Sequence, residues 1–256
     1  MVFEREMVEL VRQAGTVLLG LWPAGVSKKP LDIQIKPDGS QVTNADLLAN
    51  EILLAGIRRH CPDDAIVSEE GPIEEPATSS TPVWFIDPLD GTTSFIEGRD
   101  DFSVLLAKAV GGDLEFGCMF FPARDQSGWA VKGRGAHLNG KRLQVSSRQK
   151  LGNRSVNLRN VDVAPSSIVL TPWIDSGLAF LKLCKGELDG VVIRIGRHQV
   201  WDIAAPVLMV QEAGGLVTDE NLAPIQFRDG KIGYRYVIAS NRHVHQELAE
   251  MVLGHR

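Results

Sequence analysis

The chain has 256 residues, 44% of them hydrophobic and 23% charged, with a formal net charge of −5. That length buries a sizeable core without disulfide or metal staples, and the balanced composition excludes extensive disorder. Basic residues fall in scattered pairs such as Lys28-Lys29 and Arg58-Arg59, without interleaved aromatics, so they read as solvated faces and a dedicated surface for a nucleic-acid polymer is excluded.

Phe3, Met7, Leu10, Val11, Ala14, Val17, Leu18 and Leu21 recur at helical spacing and predict an amphipathic helix that stops before Pro23. Asp32-Ile33-Gln34-Ile35-Lys36 alternates as a strand does, Pro37-Asp38-Gly39-Ser40 is turn chemistry, and Val42-Thr43 leads into a second helix reaching about His60. Short β-like runs at 65–67 and 83–86 flank a polar stretch, 71–82, which reads as a candidate lid. Strands follow at 102–110, 114–121 and 129–131, the first two joined into a hairpin through Gly111-Gly112, so a largely antiparallel sheet is expected. Beyond Val145 the pattern predicts a helix over 176–184, a strand over 188–195, a helix from about Asp202 to Glu212 closed by Gly214-Gly215, and a last helix near Asn241. Pro206 fits that fourth helix only in or near its first turn. The mixture predicts layered α+β architecture rather than a repeating βαβ wind, without internal repeats.

Cys61, Cys118 and Cys184 are too few and too dispersed for a disulfide framework or a zinc pair, and are expected to be buried thiols. The N-terminus lacks a basic segment followed by an apolar one, and apolar runs such as 16–22 are too short to span a bilayer, so a cytoplasmic location without membrane attachment is expected.

The most informative stretch is Trp84-Phe85-Ile86-Asp87-Pro88-Leu89-Asp90-Gly91-Thr92-Thr93, an apolar strand ending abruptly in two carboxylates. Pro88 disfavours helix at Asp87 and Gly91 permits a tight turn, so both acids can be aimed at one point, with the Leu89 carbonyl as a further oxygen donor. Magnesium takes such hard oxygens, and amides after Gly91 could face an anion beside it. The plainer reading of each acid alone is structural: a turn for Asp87 and Asp90, an exposed pair for Glu69-Glu70, and a helix cap for Asp202. The histidines offer no Ser-His-Asp grouping, and His243-Val244-His245 reads as surface.

Four blocks taken together resemble the inositol monophosphatase superfamily of magnesium-dependent, lithium-sensitive phosphatases. They are Val42-Thr43-Asn44-Ala45-Asp46, Val67-Ser68-Glu69-Glu70, the stretch 84–95, and Trp201-Asp202-Ile203-Ala204-Ala205 running on to Glu212-Ala213-Gly214-Gly215. The resemblance implies the αβαβα layered sandwich shared with fructose-1,6-bisphosphatases, with an N-terminal half over 1–145 and a C-terminal half over 146–256. It implies two or three Mg²⁺ ions: Glu69, Asp87 and the Leu89 carbonyl at the first, Asp87, Asp90 and Asp202 at the second. Thr92, bonded to Asp46, would help Glu69 orient and deprotonate the attacking water, while the Gly91 and Thr92 amides hold the phosphate and Ser176 contacts the substrate. The partners implied are a small soluble phosphate ester and a second copy in a homodimer.

Phe95-Ile96-Glu97-Gly98-Arg99-Asp100-Asp101-Phe102, Lys29-Pro30-Leu31-Asp32 and Ser176-Gly177-Leu178-Ala179-Phe180 are similar to the 3′(2′),5′-bisphosphate nucleotidase branch, so 3′-phosphoadenosine 5′-phosphate is the expected substrate. Inositol 1-phosphate, fructose 1,6-bisphosphate and histidinol phosphate are the alternatives, since Thr93 stands where several nucleotidases carry a basic residue. The stretch 159–172 is shorter than usual, and Asp175 replaces a frequent glycine. A non-enzymatic regulatory binding protein with the same fold is the rival class.

Overall fold

A computed structural model describes residues 2–25, 30–153, 155–161, 169–196 and 198–254. The Lys28-Lys29 pair and positions 162–168 of the shortened stretch lie outside the described residues.

The chain opens with helix α1 (Val2–Leu21), whose Met7, Val11, Ala14 and Leu18 are buried, and passes through a small antiparallel pair, β1 (Ile33–Ile35) and β2 (Gln41–Thr43). Helix α2 (Asn44–His60) follows directly. Thr43 caps it in a capping box, receiving the Asp46 amide while Asp46 accepts back from Thr43.

Next come β3 (Ala65–Ser68), β4 (Val83–Asp90), the short helix α3 (Thr92–Ile96), β5 (Ser103–Val110), β6 (Asp113–Phe121) and a 3₁₀ turn at Pro122–Arg124. Strands β7 (Gln126–Val131), β8 (Gly135–Leu138) and β9 (Lys141–Arg142) complete a seven-stranded sheet in simple chain order, β3 to β9. All its pairs are antiparallel except β3 with β4, whose register sets Val67 beside Phe85 and Ser68 beside Ile86.

The second half supplies β10 (Val156–Arg159), α4 (Ser176–Cys184), β11 (Gly190–Arg194), α5 (Val200–Glu212), β12 (Leu216–Thr218), β13 (Tyr236–Ser240) and α6 (His245–Leu253). Its four strands form a second sheet in the order β10-β11-β13-β12.

Three apolar clusters define the layers. One joins α1 and α2 to one face of the large sheet through Leu53, Ile57, Trp84, Ile86 and Phe120. The largest wraps α4 and α5 between the two sheets, where Phe180, Leu183, Ile203, Val207 and Val210 are fully buried. The third packs α6 on the outer face of the small sheet through Leu248 and Val252. The result is the expected αβαβα sandwich.

Several expectations need correction. The fourth helix starts two residues early, at Val200, so Pro206 lies inside it, buried by its neighbours; packing on both sheets offsets the lost backbone hydrogen bond. Residues 71–82 do not cover the acidic end of β4. Ile73 bridges to Val67, the Glu74 amide bonds Ile66, and Arg58 grips the Glu74 carboxylate, while Thr78 and Ser79 lie with Val83 at the opposite end of that strand. His245 is not surface: its ring is buried between the Thr218 and Ser240 hydroxyls, each 2.9 Å away, and only His243 is exposed. Cys118 and Cys184 are buried thiols, whereas Cys61 is half-buried.

Candidate active site

The site grows from the way β4 ends. Pairing with β5 breaks register between Asp87 and Asp90, a bulge that gives the Pro88-Leu89 step room to turn both carboxylates to one side. Gly91 then takes φ 84° and launches α3; a β-carbon there would meet the Asp175 carboxyl at 3.1 Å, so glycine is required twice over. Asp87 Oδ1 accepts from the Leu89 amide at 3.0 Å and Asp90 Oδ2 from the Ser103 hydroxyl at 3.0 Å.

Asp202 joins from the other half of the chain. It occupies the third residue of α5 rather than its cap, and its Oδ2 accepts from the Gln199 amide that precedes the helix. Oxygens of Asp87, Asp90 and Asp202 lie within 4.8 Å of one another. Burial, and then the neighbouring negative charges, push all three carboxyls upward, Asp202 to about 7.

Asp87 Oδ2 is buried with no hydrogen-bond partner among the described residues. An orphaned carboxylate oxygen inside a cluster of acids is costly unless a proton or a cation neutralises it, and the all-oxygen donor set fits a divalent ion that prefers oxygen.

Glu69 follows β3, where its amide bonds the Ile86 carbonyl alongside β4. Its carboxylate faces Lys36, whose Nζ lies 2.9 Å from Oε1 and also bonds Glu70. Both acids therefore share one cation, and the reading of Glu69-Glu70 as an exposed pair gives way. Burial opposes the Lys36 charge, but the Glu70 and Glu69 carboxylates outweigh it and hold the ammonium above the usual lysine range. Lys36 had no role in the sequence reading, although an acidic pair facing a hairpin calls for a cation.

Thr92 and Asp46 also meet. The Thr92 hydroxyl lies 3.2 Å from Asp46 Oδ1 and 3.1 Å from the Leu89 carbonyl, while Asp46 Oδ2 accepts from the Thr43 amide and hydroxyl. Burial raises the Asp46 carboxyl to about 7 against the pull of those Thr43 bonds.

Beside the acids opens a cavity of about 470 Å³ lined by Asp90, Arg159, Asp175, Ser176, His198 and Asp202, among others. Ser176 is buried, with its hydroxyl 3.5 Å from Asp175 Oδ1. Asp175 is buried too. Its amide bonds Asp101, its carboxyl comes within hydrogen-bonding reach of Asp90, and burial raises it against the pull of Arg159. Arg159 and His198 escaped the sequence reading because neither sits in a motif.

An αβαβα sandwich that gathers buried carboxylates and a serine around one cavity, with a Thr-Asp pair bonded at the Leu89 carbonyl between two of the acids, defines a phosphoester hydrolase. A profile of the inositol monophosphatase family matches residues 3–255, and the chain belongs to that family as a phosphatase. It is 34% identical to the Nus factor SuhB of Pasteurella multocida, over 84% of each chain. It is 31% identical to the inositol-1-monophosphatase of Mesorhizobium japonicum, over 87% of this chain and 86% of the relative. Among solved structures, the Thermotoga maritima IMPase superposes with a TM-score of 0.83 at 27% identity, covering 99% of this chain and 97% of that one. No helix among the described residues is long and apolar enough to cross a membrane.

Proposed function

We propose that the chain hydrolyses a small phosphate monoester with magnesium held by Glu69, Asp87, the Leu89 carbonyl, Asp90 and Asp202. The observation that carries this reading is the unpartnered, buried Asp87 Oδ2 within a cluster of three acids drawn from both halves of the chain. Bound there, Mg²⁺ supplies Lewis acidity, acidifying the attacking water and offsetting charge on the phosphate and the departing oxygen.

The protein's own groups position and move the proton. Thr92 accepts from the attacking water and donates to Asp46, whose carboxyl at about 7 is matched to a general base near neutral pH. Glu69, held by Lys36, helps orient the same water. The αL turn at Gly91 presents the Gly91 and Thr92 amides to the phosphate, and Ser176 meets the alcohol in the cavity.

For the substrate, the sequence cues around 95–102 and 176–180 favour 3′-phosphoadenosine 5′-phosphate. Inositol 1-phosphate is the second reading, favoured by relatives named inositol-1-monophosphatase at 31% and 32% identity. The reading includes inhibition by Li⁺, a cytoplasmic location and a homodimer. The test is phosphate release from 3′-phosphoadenosine 5′-phosphate, inositol 1-phosphate, fructose 1,6-bisphosphate and histidinol phosphate, at millimolar Mg²⁺ with and without Li⁺. Failure to release phosphate from any of the four sinks the enzymatic reading. A role as a regulatory binding protein, which relatives named Nus factor SuhB bring to mind, would instead require a stoichiometric complex that survives Asp90→Asn.

A further inference from the structure

We propose that Arg159 is the receptor for a second phosphate on the substrate, so that the cavity selects bisphosphorylated esters over monophosphorylated ones. This rests on the phosphatase reading of the same site and adds a selection rule to it.

The cavity beside the acids is lined by unlike charges. Asp90, Asp175 and Asp202 are its acids, and among its described lining residues Arg159, next to Asp175, is the one cation. Burial, and next the Arg159 charge, hold His198 neutral by lowering its pKa to about 4, so the imidazole adds no second charge there. Its Nδ1 is buried without a hydrogen-bond partner among the described residues.

Arg159 is fixed rather than waving in solvent. It is the last residue of β10, and Asn160 turns the chain immediately afterwards with φ 56°. Nη1 donates to the Ile174 carbonyl at 2.9 Å, and the guanidinium lies 4.6 Å from the centre of the Trp173 ring. That ring also holds Arg99 at 4.5 Å. Trp173 is 56% exposed, so its ring is held by these two cations rather than by core packing.

The Asp175 carboxylate does not satisfy the guanidinium. Their closest approach is 3.9 Å, too long for a hydrogen bond and far from the bidentate fork that arginine forms with carboxylate or phosphate. Asp175 itself leans on Asp90. A monophosphate ester would place its only anion at the Asp87, Asp90 and Asp202 cluster, which does not include Arg159 or its neighbour Asp175, and leave the guanidinium without a phosphate. A second phosphate on the alcohol would meet the fork, with the unpartnered His198 Nδ1 beside it.

The test compares matched pairs on the full chain at millimolar Mg²⁺: 3′-phosphoadenosine 5′-phosphate against adenosine 3′-phosphate, and fructose 1,6-bisphosphate against fructose 1-phosphate. In at least one pair the wild type should favour the bisphosphate in kcat/KM by about 30-fold, the worth of one charge-assisted phosphate contact. Arg159→Gln should bring that ratio close to one, chiefly through KM, and Arg159→Lys should leave an intermediate ratio because it keeps charge without the fork. Preference for the monophosphate in both pairs, or an unchanged ratio in Arg159→Gln, overturns the proposal while leaving a phosphatase in place. Calorimetry with Ca²⁺ replacing Mg²⁺ reads binding of the same four probes. It decides on Arg159 even where turnover fails, and equal affinity within both pairs overturns the proposal. If Arg159→Gln does not fold, the Arg159→Lys ratio and the wild-type calorimetry carry the decision.

Discussion

Gly91→Ala tests whether backbone conformation and close packing together shape the site. Placing alanine at φ 84° costs about 1–2 kcal/mol. The new β-carbon would also sit 3.1 Å from Asp175 Cγ, and Asp175 is buried against Asp90 and cannot yield freely, so overpacking adds roughly 1 kcal/mol. Alanine's smaller unfolded-state entropy returns about 0.4–1 kcal/mol, leaving a net loss near 2 kcal/mol. For a chain of this size that corresponds to a drop of about 4–8 °C in Tm. Relief of the clash moves Asp175 and with it Asp90 by a few tenths of an ångström, enough to lower turnover about tenfold when 1 Å can cost a hundredfold. Gly39→Ala is the matched control. Gly39 has φ 81° with nothing near its would-be β-carbon, so it bears only the conformational cost, about half the Tm change, with turnover kept. Scanning fluorimetry and phosphate release on both variants make the comparison. Equal Tm shifts together with retained turnover in Gly91→Ala would refute the packing argument.

Asp90→Asn should lower phosphate release by at least about a hundredfold through loss of a metal ligand, with an unchanged far-UV spectrum. In EDTA its Tm should rise, because one buried charge beside Asp175 and Asp202 is gone. Thr92→Val leaves Asp46 Oδ1 without its donor, so it should cost about 1–3 kcal/mol in denaturant unfolding and most of the turnover. The carboxyls of Asp46 and Asp202 move up to about 7 in the folded protein, so the native state binds protons more tightly than the unfolded chain. Their stabilising contribution is full below the unfolded value and is lost as pH rises to about 7, so Tm in EDTA should fall between about pH 4.5 and 7.5. Millimolar Mg²⁺ should abolish most of that fall, and a Tm in EDTA that is flat over the range contradicts the assignment.

Local chemistry explains what the sequence disclosed and what it withheld. The strand ending at Asp87-Pro88-Leu89-Asp90-Gly91 was legible because a proline, a glycine and an apolar run constrain their own backbone. The capping box at Thr43 and Asp46 was half visible: the helix start could be read, but the Asp46 bond to Thr92 depends on β4 lying beside α2. Lys36 was out of reach for the same reason, since its partners Glu69 and Glu70 arrive from another part of the fold. Residues 71–82 looked like a lid because turn residues read alike whether a loop covers a site or is pinned along a strand. The interior Pro206 and the buried His245 show tertiary packing overriding local preference, as does the parallel pairing of β3 with β4 inside an otherwise antiparallel sheet.

The acids converge from β4 in the large sheet and from α5, the helix layer trapped between the sheets. On the ribosome, Asp87 and Asp90 emerge well before Asp202, so the nascent chain holds an incomplete ring of acids. Only when α5 docks does the ring close. On the proposed metal reading, capture of a divalent ion would report completed folding of both halves, and a proteolytic fragment ending before Val200 should retain neither the ion nor a well-ordered β4 terminus.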